Sequence, residues 1–161
     1  MSLVPDLERI SRQVLRGKSI EDAVGKFDWQ EFERIVGDIF RQNDFRVSNN
    51  FRFKTGRRWE VDLVAVRGGT VFCVDCKRWS AGRPKKWGIA KAAREQEKRT
   101  KAMGKFFRSN VIARSLMGIP NGRFVPMMAT LHEEEVVREG QTFVVPVKKL
   151  NSFIVQSDEL L

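Results

Sequence analysis

Cysteine and histidine are nearly missing: the 161 residues contain two Cys and a single His. That scarcity excludes a disulfide scaffold, a zinc cluster and most histidine-based catalysis. No apolar run approaches the roughly 20 residues that a membrane-spanning helix needs. No secretory-leader pattern opens the chain, so a cytoplasmic location away from membranes is expected. Internal repeats and low-complexity linkers are also lacking. Acidic residues are outnumbered, with 20 Asp and Glu against 30 Lys and Arg, a net charge of +10. At 42% hydrophobic and 31% charged, the composition is nevertheless that of a globular domain and not of a disordered segment. Its chemistry must therefore come from carboxylates, Lys and Arg.

The charge is unevenly placed. Residues 46–123 hold 20 Lys and Arg but only five acids, Glu60, Asp62, Asp75, Glu95 and Glu97. This block carries +15 and the remainder −5. A basic block with acidic flanks is the electrostatic footprint of a polyanion binder, because each neutralised phosphate releases counterions. A merely solvated basic surface is the alternative.

Apolar periodicity orders the elements. Residues 4–16 place Leu7, Ile10, Val14 and Leu15 at helical spacing, and Ser19 can cap a short second helix through Val24. Asp28 and Glu31 form a capping-box-like start to a longer helix, whose face is Phe32, Ile35, Val36, Ile39 and Phe40. Phe45, Val47, Phe51 and Phe53 fall on alternate residues with Asn49 between them, the pattern of a strand. The runs WEVDLVAVR and TVFCVDCKRW, joined by Gly68-Gly69, predict a β-hairpin. A loop with Pro84 precedes a charged helix over 89–107, and two further strand-like runs begin at Arg123 and Thr142 around an acidic stretch. The chain closes on an amphipathic segment. Length and element order predict one α/β domain: an N-terminal helical extension over 1–26, a core over 27–107, and strands and a helix over 108–161 that complete a central mixed sheet flanked by helices.

The hairpin has a chemical consequence. If Gly68-Gly69 is a two-residue turn, Arg67 faces Thr70, Asp62 faces Asp75 and Glu60 faces Lys77. These four side chains then share one face, and directly opposed like charges destabilise a sheet. Either a divalent cation with a preference for oxygen ligands compensates them, or Lys77 neutralises the pair as an ordinary ion cluster, or the register differs by one.

Glu33 on the long helix, GRRWEVDLVAV and VFCVDCKRW together resemble the PD-(D/E)xK nuclease superfamily, with most similarity to Mrr-like endonucleases and archaeal Holliday-junction resolvases. The resemblance spans roughly residues 27–102. Asp62 matches its single Asp, Asp75-Cys76-Lys77 its D/E-x-K, and Phe32-Glu33 its helical Phe-Glu; Val61 stands where Pro is common, and Asp75 where Glu is more usual. The resemblance implies a restriction-endonuclease-like core and a Mg²⁺- or Mn²⁺-dependent DNA endonuclease, acting as a homodimer and without a nucleotide cofactor. It also implies Asp62, Asp75, the Cys76 backbone carbonyl and Glu33 as metal ligands, Lys77 as the residue that assists the attacking water, and Gln96 as a further site residue, unless its charged helix is only a phosphate-contacting face. Glu33 alternatively makes a plain helix salt bridge. Glu60 either joins the site or pairs with Lys77 or an arginine.

Arg57, Arg58, Arg78, Arg83, Lys85 and Lys86 bracket these residues and are the expected DNA-backbone contacts. Trp79 and Trp87 either stack on bases or pack in the core. His132 is expected at the surface. Cys73 and Cys76 fall on opposite faces of one strand, which argues against a metal-binding pair. The competing functions are a non-catalytic DNA-binding module on a nuclease-like fold and an RNA-binding basic protein.

Overall fold

A computed structural model describes residues 5–78, 86–131 and 135–161 of the chain. The elements follow the order α1 (Pro5–Leu15), α2 (Ile20–Val24), α3 (Trp29–Gln42), β1 (Arg46–Lys54), β2 (Arg58–Arg67), β3 (Thr70–Lys77), α4 (Lys86–Ser109), α5 (Val111–Leu116), β4 (Arg123–Thr130), β5 (Val137–Glu139), β6 (Thr142–Pro146) and α6 (Val147–Leu160). Six strands form one mixed sheet in the order β1-β2-β3-β4-β6-β5. β1, β2 and β3 are antiparallel; β3, β4 and β6 are parallel; β5 pairs antiparallel with β6. This is the mixed sheet flanked by helices, with an N-terminal helical part, that the element order implied. Two short elements went unforeseen: α5, whose large apolar residues stay exposed, and β5, inside the acidic connector.

Local chemistry starts α3. The Asp28 side chain accepts the Glu31 N–H and the Glu31 carboxylate accepts the Asp28 N–H, both at 2.8 Å. An N-cap of this kind contributes about 1 kcal/mol. The inward stripe of α3 then buries Phe32, Ile35, Val36 and Phe40 against the sheet. Full burial of each is worth roughly 1.5–3 kcal/mol. Gly37 permits a close approach, since a Cβ there would stand 3.3 Å from Leu63 Cδ2.

Each face of the sheet has its own core. On one side α1, α2, α3 and α6 cover Leu63, Ala65, Phe72, Val74, Met127 and Val145. On the other, Met103 and Phe107 of α4 cover Phe53, Val61, Val64, Val71 and Cys73. β3 connects to the parallel β4 through a segment that contains α4, the long crossover that parallel neighbours require.

The strand expected at Phe45–Phe53 is present as β1, but its apolar residues are divided between the two cores. Phe45, Val47, Phe51 and Phe53 do not share a face. Phe45 and Val47 pack with the α3 side, whereas Phe51 and Phe53 pack with the α4 side. β2 changes sides at the same level, with Val61 in the α4 core and Leu63 in the α3 core. A regular strand would keep residues two apart on one face. The register is unbroken, Asn49 opposite Leu63 and Phe51 opposite Val61, so the reversal falls on the intervening residues Asn50 and Asp62. Asn50 has φ of 51°, in the left-handed region, where a short polar side chain is tolerated better than a branched one.

The face reversal therefore depends on a residue that accepts positive φ. Asn50→Gly is expected to change stability by only tenths of a kcal/mol, and Asn50→Val to cost about 1–2 kcal/mol in chemical denaturation. Equal stability of the two variants would contradict this account.

Candidate active site

The β2–β3 ladder runs from Arg67–Thr70 to Leu63–Val74, the register set by the Gly68-Gly69 turn, in which Gly68 has φ of 56°. There it stops. At the next step the Cys76 N–H donates not to a strand carbonyl but to Asp62 Oδ2, at 2.9 Å. The Asp62 carboxylate thus replaces the backbone acceptor where the two strands part. Asp75 lies beside it, 7% exposed, with Lys77 Nζ 3.1 Å from its Oδ2 and Arg99 Nη1 3.6 Å from its Oδ1. Glu33 approaches from α3 and is equally buried. The hairpin therefore brings Asp62, Asp75 and Lys77 together, and α3 adds Glu33.

Glu60 behaves differently from the strand arithmetic. Its partner is Arg52 across β1, with Arg52 Nε 3.3 Å from Glu60 Oε2, and it does not face Lys77. Beyond the face reversal β2 has left β3, so residues before Asp62 belong to the β1 ladder alone. The Arg52–Glu60 pair is half-exposed, and pairs of that kind contribute little stability.

Crowding of acids governs the electrostatics. Burial first, then the neighbouring Asp62, Asp75 and Glu60 charges, raises the Glu33 carboxyl to about 7. Burial likewise raises Asp62 to about 6; the Cys76 N–H opposes the rise, Asp75 adds to it, and Lys77 offsets part of it. The Cys76 thiol is pushed well up, by burial and then by Asp62, Glu33 and Asp75. It therefore stays a thiol at neutral pH, so the Cys76 side chain is no thiolate ligand.

Gln96 reaches the site from α4 and is fully buried. Its Nε2 donates to the Cys73 carbonyl at 2.7 Å, while its Oε1 accepts from Arg99. Arg99 is the functional candidate that the sequence reading missed. The available signal was its position three residues after Gln96, which places both near the same side of one helix. Arg57 and Arg58 sit at the far end of the β1–β2 hairpin, exposed, with the Arg57 guanidinium 3.9 Å from the centre of the Trp59 ring. Next to them Arg52, Phe53, Lys54, Arg58, Trp59 and Glu60 line a groove of about 680 Å³. Arg78 is exposed, and its guanidinium donates to the Gly25 carbonyl after α2. Trp79, Arg83, Lys85 and His132 lie outside the described residues, as do the side chains of Lys86 and Trp87.

The donor set suits a hard cation. The three carboxylates supply oxygen alone, and Glu33 Oε1 is buried without a hydrogen-bond partner, a cost that a cation or water would relieve. Among the described residues no three His, Cys, Asp or Glu side chains converge into a ready-made metal cage. A Mg²⁺-like ion needs none, since it is commonly held by one or two carboxylates with water completing the shell.

Comparison with known proteins agrees in kind. The nuclease-related domain (NERD) family matches residues 28–115, which contain every residue of this cluster. An uncharacterized protein of Archaeoglobus fulgidus is 31% identical over 127 residues, 78% of this chain and 88% of that protein. A crystal structure of a protein of unknown function is similar at a TM-score of 0.44 and 15% identity, over 79% of this chain. The chain spans 55% of the length of that structure.

The raised carboxyls predict a pH signature. Their folded-state values lie above those of an unfolded chain, so the folded state holds the extra protons. The associated stability is complete below about pH 4 and is lost as pH rises through about 6 to 7. In thermal melts of metal-free protein, Glu33→Gln is expected to match the wild type near pH 4 and to melt several degrees higher at pH 8. A difference that does not vary with pH would contradict the assignment.

Proposed function

This chain belongs to the nuclease-related domain family, and from that premise we propose that it is a metal-dependent DNA endonuclease of the PD-(D/E)xK type. The observation that carries this reading is the meeting of Glu33, Asp62, Asp75 and Lys77 where β2 and β3 separate. The order of these residues along the chain supports a relationship to Mrr-like endonucleases and Holliday-junction resolvases. The +15 block supports DNA as the partner, and within it the outer face of α4 exposes Lys91, Arg94, Lys98, Lys101, Lys105 and Arg108. No helix among the described residues is long and apolar enough to cross a membrane. In this reading the protein works in the cytoplasm, and as a homodimer, because cutting both strands of a duplex takes two sites.

Asp62, Asp75, the Cys76 carbonyl and Glu33 would hold Mg²⁺ or Mn²⁺. When bound, that ion supplies charge stabilisation for the phosphate under attack. The remaining work falls to the chain. Lys77 Nζ, held on Asp75 Oδ2, orients the attacking water and balances negative charge. Glu33 would reach the ion directly or hold a water beside it, since its buried Oε1 lacks a hydrogen-bond partner. Gln96 is a positioning residue that clamps the Cys73 carbonyl and so fixes β3 ahead of Asp75. Arg57, Arg58 and Lys86, with Arg83 and Lys85, position the DNA backbone.

One observation favours a second reading. Asp75 already faces two cations, as it would in a structural ion cluster within a non-catalytic DNA-binding module.

Cleavage of labelled duplex, supercoiled and four-way-junction DNA with Mg²⁺ or EDTA separates the two readings. Asp62→Asn, Asp75→Asn and Lys77→Ala are each expected to lower the cleavage rate by about a hundredfold or more while DNA binding persists. Cleavage that resists EDTA, or that survives Asp75→Asn, points to a contaminant and leaves the binding module as the better reading.

A further inference from the structure

We propose that Arg99 is an internal stand-in for the metal, a cation held against Asp75 that gives up its claim when a divalent ion takes that carboxylate. The inference rests on the metal-dependent reading above and assigns a role that the reading does not include.

Asp75 is buried, and each of its oxygens faces a different cation. The two contacts differ in kind. Lys77 Nζ at 3.1 Å from Oδ2 is within hydrogen-bond reach, whereas Arg99 Nη1 at 3.6 Å from Oδ1 is beyond it. Arg99 therefore offsets charge without occupying the lone pairs of Oδ1 through a directed bond.

Gln96 explains the standoff. Its Nε2 is committed to the Cys73 carbonyl at 2.7 Å, and its own backbone carbonyl accepts the Thr100 hydroxyl at 2.8 Å. The side-chain amide is thus fixed with Oε1 toward Arg99, and the same Nη1 that faces Asp75 donates to that oxygen. A neutral acceptor anchors the guanidinium, and the carboxylate feels only its field. The geometry suits replacement, because an ion arriving at Oδ1 displaces an electrostatic partner while the Arg99–Gln96 bond can persist. Most basic residues of α4 lie on its exposed outer face; the Arg99 side chain is about 25% exposed and turns to the acids. Crowded beside Glu33 and Asp62, Asp75 needs such a partner whenever no metal is bound.

A stand-in competes with the ion it replaces, which gives a sign opposite to that of a supporting residue. Mn²⁺ binding to the full-length chain, measured by calorimetry without DNA, reads it directly. Arg99→Gln is expected to tighten Mn²⁺ binding about tenfold, the size of effect of one nearby unit charge on a carboxylate. Arg99→Lys, which keeps the charge, is expected to bind as the wild type does, and so is Arg94→Gln, which removes a charge from the exposed face of the same helix. Arg99→Met is a second neutral replacement, with the same expected tightening, should circular dichroism show Arg99→Gln to be poorly folded. Unchanged or weaker binding in the neutral variants overturns the proposal, as does equal tightening by Arg94→Gln. A wild type that binds no Mn²⁺ overturns this inference together with the metal-dependent function. Wild-type binding that ignores Arg99 overturns this inference alone.

Discussion

The hydrogen bond from the Cys76 N–H to the Asp62 carboxylate is the contact on which the site depends. It stands where the β2–β3 ladder ends, so it satisfies a backbone donor that would otherwise be left unpaired inside the protein. It also holds a charged side chain between two strands that are parting. Removing it would leave a buried N–H without a partner and free the carboxylate that faces Asp75. The geometry of the acid cluster and strand integrity are thus served by one carboxylate oxygen.

That arrangement needs the strands to part, and the parting follows from competition between the two cores. Before the reversal, Phe51, Phe53 and Val61 pack toward Met103 and Phe107 of α4. After it, Val47 and Leu63 pack toward the α3 side. Asn50 and Asp62 lie between the paired residues Asn49–Leu63 and Phe51–Val61 at the crossing point, and Asn50 takes the left-handed backbone there. Backbone strain of this kind persists where the surroundings over-determine it, and here two buried clusters do so. The same crowding raises the carboxyls of Glu33 and Asp62 above their ordinary values. Lys77 and Arg99 relieve part of it.

Much of the fold was legible because its signals are local. The Asp28–Glu31 capping box, the apolar stripe of α3 and the glycine turn of the hairpin each involve neighbours in sequence. α5 escaped notice because its large apolar residues Val111, Ile112 and Leu116 are exposed, so no buried face imposes a pattern. β5 escaped because three residues in an acidic stretch carry no strand periodicity. In the site, Asp62, Asp75 and Lys77 were readable from the turn register and Glu33 from its place at the edge of the helix stripe. For Glu60 the arginine pair, with Arg52, is the alternative found; the arithmetic that set it opposite Lys77 assumed that β2 follows β3 to its end.

The sequence by itself determined the register of the hairpin, the basic block and the identity of the acids inside it. A two-residue turn leaves the flanking strands one antiparallel alignment, and charge is a sum over residues. The tertiary structure decided where that alignment stops, which cation answers Asp75, and that Arg78 donates to the Gly25 carbonyl. These outcomes turn on contacts between elements far apart in the chain. Strand alternation cannot foresee that two cores will draw neighbouring stretches of one strand to opposite faces.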